Sequence, residues 1–189
     1  FGLETIKNVG ANIVQAIIET RELGGKFKSI ADFIERVKHK DLNKKSLESL
    51  IRCGATDAFG ERSRLLGNLD LLLEYHRESS KNSNQTQSSL FSLAPQAQTV
   101  SLRLKEFEPT GKKERLAWEK ELLGLYVTEH PLREYEEKFR QNRTLSLKDL
   151  SLNLRNQVVS VGGIVSLIKR INTKNGEPML FVTLEDLTG

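Results

Sequence analysis

Two stretches of this 189-residue chain combine residue types that can capture a partner. Ile6-Lys7-Asn8-Val9-Gly10-Ala11 reads as a tight turn running straight into a helix, with Asn12 as its second helical residue. The first amides of a helix have no intrahelical acceptor and lie at the positive end of its dipole. Lys7, Asn8, Val9, Gly10, Ala11 and Asn12 can therefore hold a DNA phosphate without reading bases. Asn8 stands where a left-handed backbone is wanted, and Asn tolerates one. The bland alternative is a turn between packed helices. In Gln87-Ser88-Ser89-Leu90-Phe91, an extended peptide can seat Leu90 and Phe91 in an apolar pocket while the Gln87 amide hydrogen-bonds at the rim. Here the alternative is that the two apolar residues pin a loop to its own domain. Lys169, Arg170 and Lys174 flank a strand and its turn, where cations can meet a single strand or simply aid solubility.

Other chemistry finds no support. Cys53 is the single cysteine, which excludes an internal disulfide and fits a reducing, cytoplasmic setting. His39, His76 and His130 are scattered and give no zinc pattern. No acid–base pair or nucleophile constellation is evident, so no catalytic or metal-binding residue is assigned. Asp32 and Asp57 read as capping and turn residues, and Trp118 and Tyr126 as packing residues rather than stacking platforms.

The elements that would position these residues are mainly helical. Ile13, Val14, Ile17 and Ile18 form an apolar stripe over 11–22, ended by Gly24-Gly25. Ser29 with Asp32 resembles a capping box opening a short helix that turns Ile30, Phe33, Ile34 and Val37 inward. Asn43 is a plausible N-cap for a helix with Leu47, Leu50 and Ile51 on one face, stopping at Gly54. A fourth helix starts near Glu61, with Leu65, Leu66, Leu69, Leu72 and Leu73 as its core face. Helical pattern returns over 112–123, and Pro131 suits the first residue of a helix reaching Arg140. Both of these helices are charged and are expected to lie on the surface. From Gln157 the chain turns β-branched. Val158, Val159 and Val161, then Ile164 to Ile171, a turn at Asn175-Gly176 and Leu180 to Leu184 predict at most three strands of an antiparallel sheet. Gly162-Gly163 suggests a bulge. The fold class is thus mainly α followed by the first strands of an incomplete antiparallel β-barrel.

Lys and Arg number 29 against 25 Asp and Glu, a net charge of +4 that is too thin by itself to argue for nucleic acid. Its distribution says more, since residues 79–105 contain three basic and no acidic residues. Of residues 79–101, 15 are Ser, Thr, Asn or Gln, which suits a tether that exposes the Gln87 peptide. The organisation expected is a helical DNA-binding domain over 1–78, a tether over 79–105, a helical connector over 106–150 and part of a β-domain over 151–189. No apolar run approaches the ~20 residues of a bilayer span. Phe1 in place of Met, and a sheet with open edges near Gly189, suggest an excised piece of a longer protein.

The turn at residues 6–11 resembles a helix-hairpin-helix motif, whose usual hairpin is Gly, an apolar residue, Gly. Asn8 takes the place of the first Gly. The DNA glycosylases that share this motif carry a Gly-Pro-Asp tripeptide that is missing here. The Gln87 peptide resembles the one by which bacterial replication proteins dock on the ring-shaped sliding clamp. Together with Phe27-Lys28-Ser29, Asp32-Phe33, Asn43-Lys44-Lys45, Gly54-Ala55, Glu119 to Tyr126, His130-Pro131-Leu132 and Leu184-Glu185-Asp186, these stretches resemble the bacterial C-family replicative polymerases, the DNA polymerase III alpha subunits. Val127-Thr128-Glu129 departs from the small residues that family carries before His-Pro.

The resemblance implies a DNA-directed DNA polymerase as the parent, with its catalytic aspartates and Mg2+ in a palm domain that precedes this region. The fragment itself would carry no cofactor. It implies duplex DNA bound through the hairpin, the sliding clamp through Gln87, Leu90 and Phe91, and single-stranded template through a completed oligonucleotide-binding (OB) fold bearing Lys169, Arg170 and Lys174. Other replicase subunits would bind through regions outside this stretch, and no membrane partner is implied. The competing readings are a DNA-binding scaffold unrelated to replication and a helix-hairpin-helix repair enzyme.

Overall fold

A computed structural model describes residues 2–84, 102–142 and 144–188. The peptide at Gln87, Leu90 and Phe91 lies outside them. The chain divides into two compact units, Phe1–Tyr126 and Val127–Gly189.

The first unit is helical. α1 (Ala11–Gly24) buries Ile13, Val14 and Ile17, the stripe read from their spacing. α2 (Ile30–Arg36) starts at Ser29, whose hydroxyl accepts from the Asp32 amide. Asp32 does not return the bond to Ser29. Its carboxylate reaches one residue further, to the Lys28 amide, so only half of the expected box forms. α3 (Lys44–Arg52) has the full box, between Asn43 and Ser46. These helices share one core, in which Ile13, Ile34, Val37, Leu47, Ile51, Leu65 and Leu72 have no measurable exposure. Burying each such side chain is worth about 1.5–3 kcal/mol.

The predicted fourth helix is two helices, α4 (Arg62–Gly67) and α5 (Leu69–Asn84). The break falls at Asn68, whose side-chain amide donates to the Lys105 carbonyl and whose oxygen accepts from the Lys105 amide. A backbone segment thus docks where the helix parts. At Gly67 a Cβ would collide with the Phe107 ring, so this approach requires glycine.

α6 (Lys112–Leu123) corrects the expectation of a surface helix, because it buries Leu116, Glu119 and Leu122. Glu119 has no measurable exposure and Arg62 is 4% exposed. The Arg62 guanidinium forks onto Asp57 with two bonds of 2.8 Å, donates to the Arg52 carbonyl at 2.9 Å and reaches Glu119 at 3.2 Å. Asp57 is therefore more than a turn residue: its hydrogen bonds are the first cause that raises the guanidinium's pKa against the pull of burial. Nearby, Glu61 caps α4 by accepting from the Ser63 amide, and it also takes the Thr110 amide and Arg115. Burial pushes its carboxyl upward. The Ser63 hydroxyl, the Thr110 and Ser63 amides and the Arg115 charge outweigh that and lower it to about 2.

In the second unit, Pro131 does open a helical turn, but residues Pro131–Tyr135 are 3-10 and α7 is confined to Glu136–Gln141. β1 (Ile164–Asn172) and β2 (Pro178–Glu185) pair antiparallel around a turn in which Gly176 has φ 81°. The run at Val158 is not a strand: Val158 is fully exposed, and Val161 makes one isolated parallel bridge to Leu145. The bulge lies between Val165 and Leu167 rather than at the glycines. Gly162 and Gly163 instead allow close approach, since a Cβ on them would meet the Phe139 ring at 2.7 Å and the Glu185 carbonyl oxygen at 2.8 Å. Asp186 ties the end of β2 to residues 146–147, accepting from the Leu147 amide and the Ser146 and Thr188 hydroxyls. Burial raises its carboxyl, but the Thr188 hydroxyl, the Leu147 amide and the other donors hold it well below the carboxylate range. The fold is thus mainly α followed by an unclosed two-stranded antiparallel sheet among the described residues.

Candidate nucleic-acid interface

The 6–12 turn is fixed from beneath and open above. Ile6 and Val9 are each 5% exposed and point into the core, and the Val9 amide donates to the Ile6 carbonyl at 3.1 Å. The Lys7 amide donates to the Leu122 carbonyl at 2.9 Å, which fastens the turn to the end of α6. Asn8 takes φ 69°, the left-handed backbone anticipated for it, and its side-chain amide donates to the Ser49 hydroxyl on α3. Ser49 and Leu122 are supports that the local sequence could not signal, because both arrive from distant helices.

Gly10 is the N-cap of α1, and the first helical bond runs from the Val14 amide to the Gly10 carbonyl. The amides of Ala11 and Asn12 precede that bond and lack an intrahelical acceptor. Gly10, Ala11, Asn12 and the Lys7 side chain are exposed, and a Cβ at Gly10 would meet nothing within 4 Å. The first turn of α1 contains no acid that would compete with an anion for the dipole. Of the six residues read as one site, five face solvent, while Val9 contributes by holding the turn from inside.

The cations of the second unit do not form one surface. Lys169 pairs across the ladder with Phe181 and Arg170 with Leu180, so the two lie on opposite faces of the ribbon. Lys174 lies in the turn. Both faces carry exposed apolar side chains, Leu167 and Phe181 on one and Ile168 and Leu180 on the other.

No group of His, Cys, Asp and Glu among the described residues is arranged to hold a metal ion. The carboxylates of Asp57, Glu61, Glu119 and Asp186 all have internal hydrogen bonds. Cys53 is buried, and burial raises its thiol, which leaves it a poor nucleophile. Among the described residues no helix is long and apolar enough to cross a membrane.

Comparison with known proteins agrees with this geometry. Residues 1–66 match a family described as the helix-hairpin-helix motif. The whole chain aligns with DNA polymerase III subunit alpha of Thermus aquaticus at 38% identity over 193 residues, and with that of Borreliella burgdorferi at 39% over 194. Along its whole length the chain is similar to the alpha subunits of DNA polymerase III. The Deinococcus radiodurans alpha subunit is 37% identical over 201 residues. In all three cases the alignment covers 100% of this chain, which spans 15 to 17% of the length of these alpha subunits. The matched stretch comprises a helix-hairpin-helix region and, after it, a two-stranded antiparallel sheet among the described residues.

Proposed function

We propose that this chain is the part of a replicative DNA polymerase that holds DNA and the sliding clamp while another region performs nucleotidyl transfer. The observation that carries the DNA half is the exposed start of α1: a left-handed Asn8 and a bare Gly10 N-cap lead into the unbonded amides of Ala11 and Asn12. A phosphate there would accept from those amides, with Lys7 beside it and the helix dipole behind it. Such contacts position a duplex without reading its sequence.

Clamp docking rests on the Gln87, Leu90, Phe91 spacing in an acid-free stretch. The OB-fold role rests on Lys169, Arg170 and Lys174 around the ribbon, with single-stranded template as the ligand. Because Lys169 and Arg170 lie on opposite faces, one strand of template would meet only one of them directly.

Both halves are tested on the whole chain. Gly10→Ala has room in the fold and adds a methyl group at the N-cap, beside the proposed phosphate position. It is expected to weaken binding to a fluorescein-labelled duplex about tenfold, the equivalent of one charge-assisted hydrogen bond, with no sequence preference in what remains. Unchanged affinity would remove the hairpin from the DNA interface. Calorimetry of the clamp with Leu90→Ala/Phe91→Ala is expected to show binding lost, and an affinity equal to that of the unaltered chain rejects the docking role.

A further inference from the structure

A second basic feature of the first unit is independent of the hairpin. Between the 37–43 loop and α5 lies an open groove of about 680 Å³. Its rims carry Lys38, Lys40 and Lys44 on one side and Arg77 and Lys81 on the other. The single acid in its lining is Asp70, which is paired with Lys44 at 2.8 Å. Lys38, Lys40, Arg77 and Lys81 are exposed and have no acidic partner among the described residues.

The charges are sorted by the helix itself. Leu73, Arg77 and Lys81 fall at four-residue spacing and form the groove stripe of α5. Glu74 and Glu78 each come one residue after a groove residue and are turned about 100° away, outside the lining. The floor is apolar and fixed. Leu42 and Leu73 are buried there, and the buried His76 ring nitrogen bonds the Val37 carbonyl at 3.1 Å, which fastens α5 to the loop. A rigid concave surface with four unneutralised cations holds them in mutual repulsion until an anion enters.

The shape argues for the kind of anion. Arg77 and Lys81 are one helical turn apart, about 6 Å along the axis, and the lysines face them from another element. The cations are spread along a line rather than focused on a point, and none is buried as a capture site for a lone phosphate would require. The α3 start is already capped by Asn43 and supplies no open amide cradle.

We propose that this groove binds the sugar-phosphate backbone of DNA as a second contact, separate from the hairpin. It rests on the reading that this chain holds DNA, and it adds where a further stretch of backbone lies. The test measures anisotropy of a fluorescein-labelled duplex with the full chain across a salt series. The groove variant is Lys38→Gln/Lys40→Gln/Arg77→Gln/Lys81→Gln. A charge-matched control is Lys26→Gln/Lys105→Gln/Lys148→Gln/Arg155→Gln, all exposed positions outside the groove. Trp118 fluorescence during urea unfolding checks that both remain folded.

The groove variant is expected to lose tenfold or more in affinity beyond the control, and its log affinity against log salt slope to fall by about 2–4, close to one for each phosphate released. Equal losses in groove variant and control overturn the proposal, since only net charge would then matter. If Gly10→Ala weakens binding while the groove variant matches the control, the hairpin reading stands and the groove fails. If the unaltered chain binds no duplex, both fail. A groove variant that keeps duplex affinity but loses affinity for polyglutamate assigns the groove to an acidic protein instead.

Discussion

Six-residue α4 and the nine-residue strand β1 make an instructive pair. α4 is too short to be stable alone, yet Leu65 has no measurable exposure and Arg62 is 4% exposed, because helices from distant parts of the first unit close over them. β1 is longer and paired to β2 on both sides of its bulge, yet Leu167 and Ile168 remain 59% and 60% exposed. Hydrogen-bond pairing alone does not bury side chains, and an isolated two-stranded ribbon is marginally stable in water. The difference bears on function. The hairpin at 6–12 is mounted on a packed core that fixes each amide, whereas Lys169 and Arg170 stand on a ribbon whose two faces are both open.

The largest expected effect comes from cutting the buried ion pair. Glu119→Ala leaves the 4% exposed Arg62 with Asp57 as its one remaining carboxylate partner and is expected to destabilise the first unit by about 3–5 kcal/mol, read from the urea midpoint of Trp118, the single tryptophan. Leu180→Thr on the ribbon should alter exchange of the β1 and β2 amides by less than about 0.5 kcal/mol. Comparable effects in the two places would erase the contrast.

A smaller effect follows from Glu61. Its carboxyl is lowered from 4.5 to about 2 in the folded chain, so its contribution is fully present above about pH 4.5 and is lost as pH falls towards 2. The contribution is on the order of 1–3 kcal/mol. Glu61→Gln should flatten that part of the stability profile measured by urea unfolding at successive pH values, and a profile as steep as that of the unaltered chain would assign the acid loss elsewhere.

A further effect, smaller than that at Glu119, concerns the hairpin itself. Asn8→Ala forces a Cβ residue without a local hydrogen bond to φ 69° and is expected to cost about 1–2 kcal/mol. Asn8→Gly, which relieves the backbone but loses the Ser49 bond, should stay within about 1 kcal/mol of the original. The reverse order in urea melts would mean that the side-chain bond, not the backbone, holds the turn.

Much of the first unit was legible in advance because its signals are local. Ile13, Val14 and Ile17 repeat at helical spacing, Ser29 and Asn43 cap their own helices, and Asn8 is one of the few residue types at ease with positive φ. The errors fell where a distant segment intervenes. Nothing near Asn68 announces that Lys105 will take its amide, and the charged run around Glu119 looks like a solvated face until Arg62 is brought to meet it. In the second unit, a β-branched run at Val158 met every local criterion for a strand and found no strand partner among the described residues.

The amino-acid order by itself determined the helical class of the first unit, the hairpin at 6–12 and the family resemblance, since these depend on residue types at short spacing. The tertiary structure decided which amides stay open, which charges are buried and where Lys38 and Arg77 come to face each other across a groove. Those outcomes depend on pairs of residues far apart in the chain, and such pairs have no partner to be read against until the core packs.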